Sequence, residues 1–366
     1  MRNLFKNIAD KALGQIAKVL PPLSYAAVEK TFPARAPYLP TPPANANMFS
    51  GKVIQAFLEP VTFHEHRIFR LNNVYATWNG GVFRNLRLFL PSLVHDWYSE
   101  TFQDTLLLRQ WVGEKIEVTA ECVAVCHNQW SVENYYHWLA DTLPRLLVLR
   151  ELHPNMRLQL PQPLPPKQLP EYIRLTAAAL GFTQYVPVNP QQILHAECVV
   201  VPELTATPIK QNPELIKQVR SELLAAYGPA PAPATRRIYA ARSATGVRKI
   251  VNEAEVDGLM SEFGFEKVYF ERLSFLEQIQ LMHETSVLLG VHGAGMSNMF
   301  FLQDGAKVLE LLDKKHQIHC YYWLASCFEL PYYLVPCHGV NPEKTSHSDM
   351  LVDVALLRTV IEQALA

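Results

Sequence analysis

At 366 residues, 49% hydrophobic and 18% charged, the chain is long enough for two cores and too apolar to be disordered. A formal net charge of −1 supplies no global basic field, so no nucleic-acid partner is expected. Six cysteines (Cys122, Cys126, Cys198, Cys320, Cys327 and Cys337) show no CxxC pair and no disulfide-framework spacing, which reads as free thiols in a reducing, cytoplasmic compartment.

The first 20 residues place Leu4, Phe5, Ile8, Leu13, Ile16, Val19 and Leu20 at helical spacing, with Arg2, Lys6, Lys11 and Lys18 between them. Such an amphipathic helix either packs on its own domain or makes peripheral contact with the inner face of a membrane. No run reaches the roughly 18 apolar residues that a bilayer span requires. A proline-rich stretch from Leu20 to Ala46 reads as an extended connector, so residues 1–47 are expected to be helix plus connector.

From Phe49 the pattern is mixed. "VIQAFLEPVTF" and "RIFRLNNVYATW" read as strands, "NYYHWLADTLPRLLVLREL" as a helix, and "LQLPQPLPPKQLPEYIRLTAAALGF" as strand, loop and helix ending at Gly181. A Pro/Ala run from Tyr227 to Arg237 is a linker signature. It separates a first domain, 48–228, from a second, 235–345, with a last helix in 346–366 packing back on the first. In the second domain "RRIYAAR", "EKVYFERL", "VLLGV" and "KVLELL" alternate with helical segments, the pattern of a parallel sheet in an α/β sandwich. Ser274 and Glu277 form a capping box that starts one of those helices.

Three stretches carry chemistry. "VLLGV" ends at His292-Gly293-Ala294-Gly295, placing that loop at the carboxyl edge of the sheet, where ligands bind. The glycines admit close backbone approach, and Ser297 or Asn298 can cap the next helix and donate to an anion such as phosphate. Arg242 follows the first strand of the same domain, with Arg248, Asn252 and Glu253 soon after; guanidinium forks match diphosphate oxygens. Glu310 reads as a strand-terminal acid, able to accept from a ribose or sugar hydroxyl. In the first domain Asn134, His137 and Asp141 share one helical face. Either His137 is a general base raised and oriented by Asp141, or the pair is a structural hydrogen bond. The segment His316 to Cys320 gathers potential ligands, but no second pair stands at zinc spacing, so no metal site is expected.

Taken together and in order, Asn134, His137 and Asp141 in "NYYHWLADTLPRL", then "RRIYAARSATGVRKIVNE", "GFEKVYFERLSFLEQIQL" and "VLLGVHGAGMSNMFFLQDGAKVLEL", resemble glycosyltransferase family 61. The likeness runs from Asn134 to Leu311 and departs at Gln303-Asp304-Gly305, where the family usually has a Pro-Gly turn. It implies a GT-B-like α/β fold of two Rossmann-like domains facing across a cleft. It also implies an inverting, metal-independent transferase that needs no cofactor beyond a nucleotide-sugar donor, UDP-linked by expectation. The acceptor would be a glycan or glycolipid, in surface polysaccharide biosynthesis. On this reading His137, Asp141 and Asn134 are catalytic. Arg242, Arg248, Asn252, Glu253, His292, Gly293, Ala294, Gly295, Ser297, Asn298 and Glu310 hold the donor. The competing readings are an idle carbohydrate- or nucleotide-binding scaffold and a nucleotide-sugar epimerase.

Overall fold

The structure is a computed structural model that describes residues 20–24, 26–49, 55, 57–101, 104–242, 247–315, 318–341, 343 and 347–366. The expected N-terminal amphipathic helix and His316 lie outside the described residues. No described helix is long and apolar enough to cross a membrane. The described residues fall into two compact units, one built on Phe63–Pro208 with the chain up to Arg35, the other on Ala36–Thr62 and Ile209–Ala366.

Part of the proline-rich connector is strand. β1 (Ala27–Phe32) contains no proline and pairs antiparallel with β4 (His66–Thr77); the prolines fall outside it. β2 (Arg35–Tyr38) and β3 (Val61–Phe63) pair with each other. The first unit is completed by β5 (Val82–Arg84), β6 (Arg87–Leu88), β7 (Glu114–Ala124), β8 (Arg157–Pro161), β9 (Tyr185–Val188) and β10 (Gln192–Pro202), in the order β6-β5-β4-β10-β7-β8-β9. This sheet is mixed, unlike the Rossmann-like pattern expected. β10, β7, β8 and β9 are parallel, whereas β4, β5 and β6 return antiparallel through tight turns with positive φ at Gly80, Asn85 and Leu86.

The cysteine expectation is corrected here. Parallel register sets Cys198 opposite Cys122 on the neighbouring strand, at a Cα separation of 4.5 Å, and the two form a disulfide. Seventy-six residues separate them, so no local spacing reveals the pair. Cys126, Cys320, Cys327 and Cys337 are buried free thiols.

The second unit is doubly wound. β11 (Arg236–Ala240), β12 (Glu266–Val268), β13 (Thr285–Val291), β14 (Lys307–Asp313) and β15 (Tyr332–Gly339) run parallel in the order β12-β11-β13-β14-β15, with β16 (Met350–Leu351) antiparallel at the edge. One face packs Val287, Leu289, Val291 and Leu309 against Val256, Leu259 and Met260 of helix Glu253–Glu262 and Leu357, Val360 and Ile361 of helix Val354–Leu365. The last helix therefore belongs to the core of this sheet, where its 3.6-residue apolar stripe fits.

On the other side, helix Pro213–Tyr227 buries Leu215, Ile216, Val219 and Leu223 and contacts helix Cys320–Cys327 and the 3-10 segment Ala294–Phe301. The division between units accordingly falls at Pro208/Ile209, ahead of that helix and not in the Pro/Ala run. Ser274 and Glu277 make the expected capping box on helix Phe275–His283.

Candidate active site

In the second unit the strand order reverses between β11 and β13. Crossovers from these neighbours leave in opposite directions, which opens a crevice at their carboxyl ends. Arg242 follows β11 and His292-Gly293 follows β13, so both reach that crevice. Nη1 of Arg242 and Nη1 of Arg248 donate to the same acceptor, the His292 carbonyl, at 3.1 and 2.6 Å. Burial, and then the adjacent Arg248 charge, hold the Arg242 guanidinium below its ordinary range. Two cations gathered on one neutral oxygen concentrate positive charge at this strand edge, which suits an anion.

Gly293 is what allows the gathering. A Cβ there would stand 2.1 Å from Nη1 of Arg242. Its φ of 167° is ordinary extended backbone, so the glycine serves close approach and not strain. Gly290 serves packing, since a Cβ there would lie 2.7 Å from the Met296 sulfur.

His292 is fixed from behind. Its Nδ1 lies 2.5 Å from Oε1 of Glu310, whose other oxygen accepts from the Tyr332 hydroxyl at 2.6 Å. Glu310 is fully buried in mid-strand and not at a strand end, and its two bonds make it a positioning group for His292. Ser297 and Asn298 are also fully buried. Neither caps the segment: Asn298 donates to the Gly295 carbonyl at 3.2 Å, and Ser297 lies at the hydroxyl of buried Tyr321. Ala294 is exposed at the loop tip and Gly295 partly so. The other two expected residues are engaged elsewhere. Asn252 brackets the backbone of Val352 with bonds of 2.9 and 3.1 Å, and Glu253 pairs with Lys267 at 2.7 Å.

In the first unit the candidate residues also follow a strand carboxyl end. The chain leaves β7, passes through His127 to Ser131, and enters a helix at Tyr135. Asn134 is its N-cap, with the side-chain oxygen accepting from the Tyr136 amide at 3.0 Å. Trp138–Thr142 is a π-turn before the helix resumes over Leu143–Arg150. Such insertions recur at functional sites. Here it carries Asp141, whose Oδ2 lies 2.7 Å from Nδ1 of His137. The Asp141 side chain is 4% exposed and that of His137 13%, so the imidazole is the member that meets solvent.

Four further groups of this unit belong to no motif. Trp130 lies 4.9 Å from the His137 ring and 5.1 Å from His95, centroid to centroid. Burial holds the His95 imidazole below its ordinary range, against the opposing pull of Asp141. Arg145 is buried, donates to the Pro202 carbonyl at 2.7 Å and feels the Asp141 charge. His127 is fully enclosed, and burial pushes its imidazole down to about 4. Its one signal in the sequence is an imidazole ending the apolar run "VAVCH".

The family model for glycosyltransferase 61 matches residues 135–309. The chain carries a glycosyltransferase 61 domain. The domain begins one residue after Asn134 and ends one before Glu310, so it takes in the His137–Asp141 pair, both arginines and the His292 loop. The EGF domain-specific O-linked N-acetylglucosamine transferase of Rattus norvegicus is 35% identical over 94 residues, 24% of this chain and 18% of that protein. The Drosophila melanogaster protein of the same name is 32% identical over 84 residues, 22% and 16%. That of Xenopus laevis is 42% identical over 53 residues, 14% and 10%. The matched stretch thus spans less than a fifth of the length of these relatives.

Proposed function

We propose that this protein is an inverting glycosyltransferase that moves a sugar from a nucleoside-diphosphate donor to a hydroxyl of a glycan or glycoconjugate. The observation that carries the reading is the convergence of Arg242 and Arg248 on the His292 carbonyl beside Gly293, at the reversal of strand order. The second unit holds the donor, and guanidinium charge takes the place of a metal ion on the departing diphosphate. The first unit supplies the base. A carboxylate accepts only, so Asp141 fixes the Nδ1–H tautomer of His137 and leaves Nε2 to take the acceptor's proton as the anomeric carbon is attacked from the side opposite the leaving group. One base and a single displacement give inversion. The relatives' names make N-acetylglucosamine the first donor sugar to try, and UDP its carrier.

The test is a thermal-shift screen of the full chain against nucleoside mono- and diphosphates, with and without EDTA. A ligand at a hundred times its Kd stabilises by roughly 2.7 kcal/mol. Stabilisation by one diphosphate, unchanged by EDTA and reduced in Arg242→Ala, is expected. Stabilisation by none of them overturns the reading.

A further inference from the structure

Trp97 is the exposed member of a chain of rings that reaches the candidate base. It is 54% exposed. The His95 ring stacks on it at 5.6 Å and 20°, Trp130 meets His95 edge-on at 5.1 Å and 76°, and His137 lies 4.9 Å beyond. The arrangement is anchored. Leu93 and Val94 are buried, the Val94 amide donates to the Gln129 side chain at 3.1 Å, and Gln129 in turn donates to the Asn79 carbonyl at 3.1 Å. Two segments distant in sequence are thereby tied together so that their rings meet.

Burying an indole stabilises, so one left half in water and held in a fixed frame marks a contact surface. Ring faces carry negative charge density and attract polarised C–H groups. His95 already covers one face of Trp97 at 5.6 Å and the planes beyond it are tilted, so no parallel-sided slot is open to a flat nucleobase. A puckered ring with C–H bonds on one face and hydroxyls around its rim suits a single exposed indole face, with the exposed carboxylate of Asp96 beside it to accept from hydroxyls. We propose that Trp97, with His95 and Trp130, seats a pyranose ring; that this ring belongs to the acceptor rests on the transferase reading above.

The test uses the full chain labelled with 5-fluorotryptophan, whose six tryptophans give separate fluorine resonances; Trp97→Phe and Trp130→Phe assign the two that matter. The methyl glycosides of glucose, galactose, xylose and N-acetylglucosamine are titrated in, with glycerol as control. At least one pyranoside should shift the Trp97 and Trp130 resonances together and saturably while glycerol moves neither. Trp97→Ala should weaken that binding about tenfold, as read at Trp130. The seat is overturned if no pyranoside moves either resonance, or if the Trp130 titration keeps its midpoint in Trp97→Ala. Titration with UDP separates the two readings. Pyranoside binding without diphosphate binding leaves the seat and removes the transferase; diphosphate binding without pyranoside binding does the reverse.

Discussion

Gly293→Ala tests the donor site at its tightest point. The added methyl would lie 2.1 Å from Nη1 of Arg242, where an ordinary contact needs about 3.5 Å. The guanidinium must retreat by more than about 1 Å, and its 3.1 Å bond to the His292 carbonyl breaks. The fold should hardly notice, because the displaced atom ends a flexible side chain and the backbone at φ 167° accepts any residue. A stability loss of about 1 kcal/mol or less is expected by urea unfolding. Donor binding should lose one charge-assisted hydrogen bond, roughly 1.5 to 3 kcal/mol, or about 10- to 150-fold in Kd for UDP by calorimetry. If the glycine exists to clear Arg242, the double variant Gly293→Ala with Arg242→Ala should bind no more weakly than Arg242→Ala alone. Wild-type affinity in Gly293→Ala, or additive losses in the double variant, would refute the reasoning.

Asp141→Asn should lower turnover by about 10²- to 10⁴-fold with UDP affinity unchanged, because the amide no longer fixes the His137 tautomer; steady-state kinetics and calorimetry check this. Glu310→Leu leaves two buried donors, on His292 and Tyr332, without an acceptor and should cost about 3 kcal/mol or more. Glu310→Gln keeps an acceptor for Tyr332 and should cost less in the same urea series. His127 and His66 are both held down to about 4 by burial, so the unfolded chain takes up protons first. Stability is then whole above about pH 6.5 and falls as pH drops towards 4, by roughly 3 kcal/mol for each group. His127→Gln should remove about half of the acid slope that the two share, as read from urea midpoints between pH 7 and 4.5.

The second unit was largely legible because buried parallel strands read as short apolar runs with glycine at their ends. "VLLGV" and "KVLELL" are β13 and β14, and the arginines and His292 meet where strand ends were expected to put them. Side-chain burial was not legible. Glu310 looks like a surface acid in "KVLELL" and becomes a core group only because a neighbouring strand brings Tyr332. Ser297 and Asn298 look like a cap and are turned inward by a 3-10 winding. In the first unit the helical face of His137 and Asp141 was readable, but the π-turn was not, since the insertion has no residue code of its own. The pairing of β1 with β4, the cystine, and the approach of His95 to Trp130 all depend on contacts remote in sequence, which no local period encodes.

That cystine encloses a particular part of the chain. The covalent loop from Cys122 to Cys198 contains Trp130, Asn134, His137, Asp141 and Arg145, and none of the diphosphate-site residues. Cutting it returns entropy to the unfolded form of the first unit alone, by roughly 4 kcal/mol for a loop of this size. A reductant should therefore separate the two halves of the reaction, with the capacity to hold nucleotide outlasting the capacity to use it. On the proposed function, protein made in a reducing host should keep nucleotide binding while losing turnover.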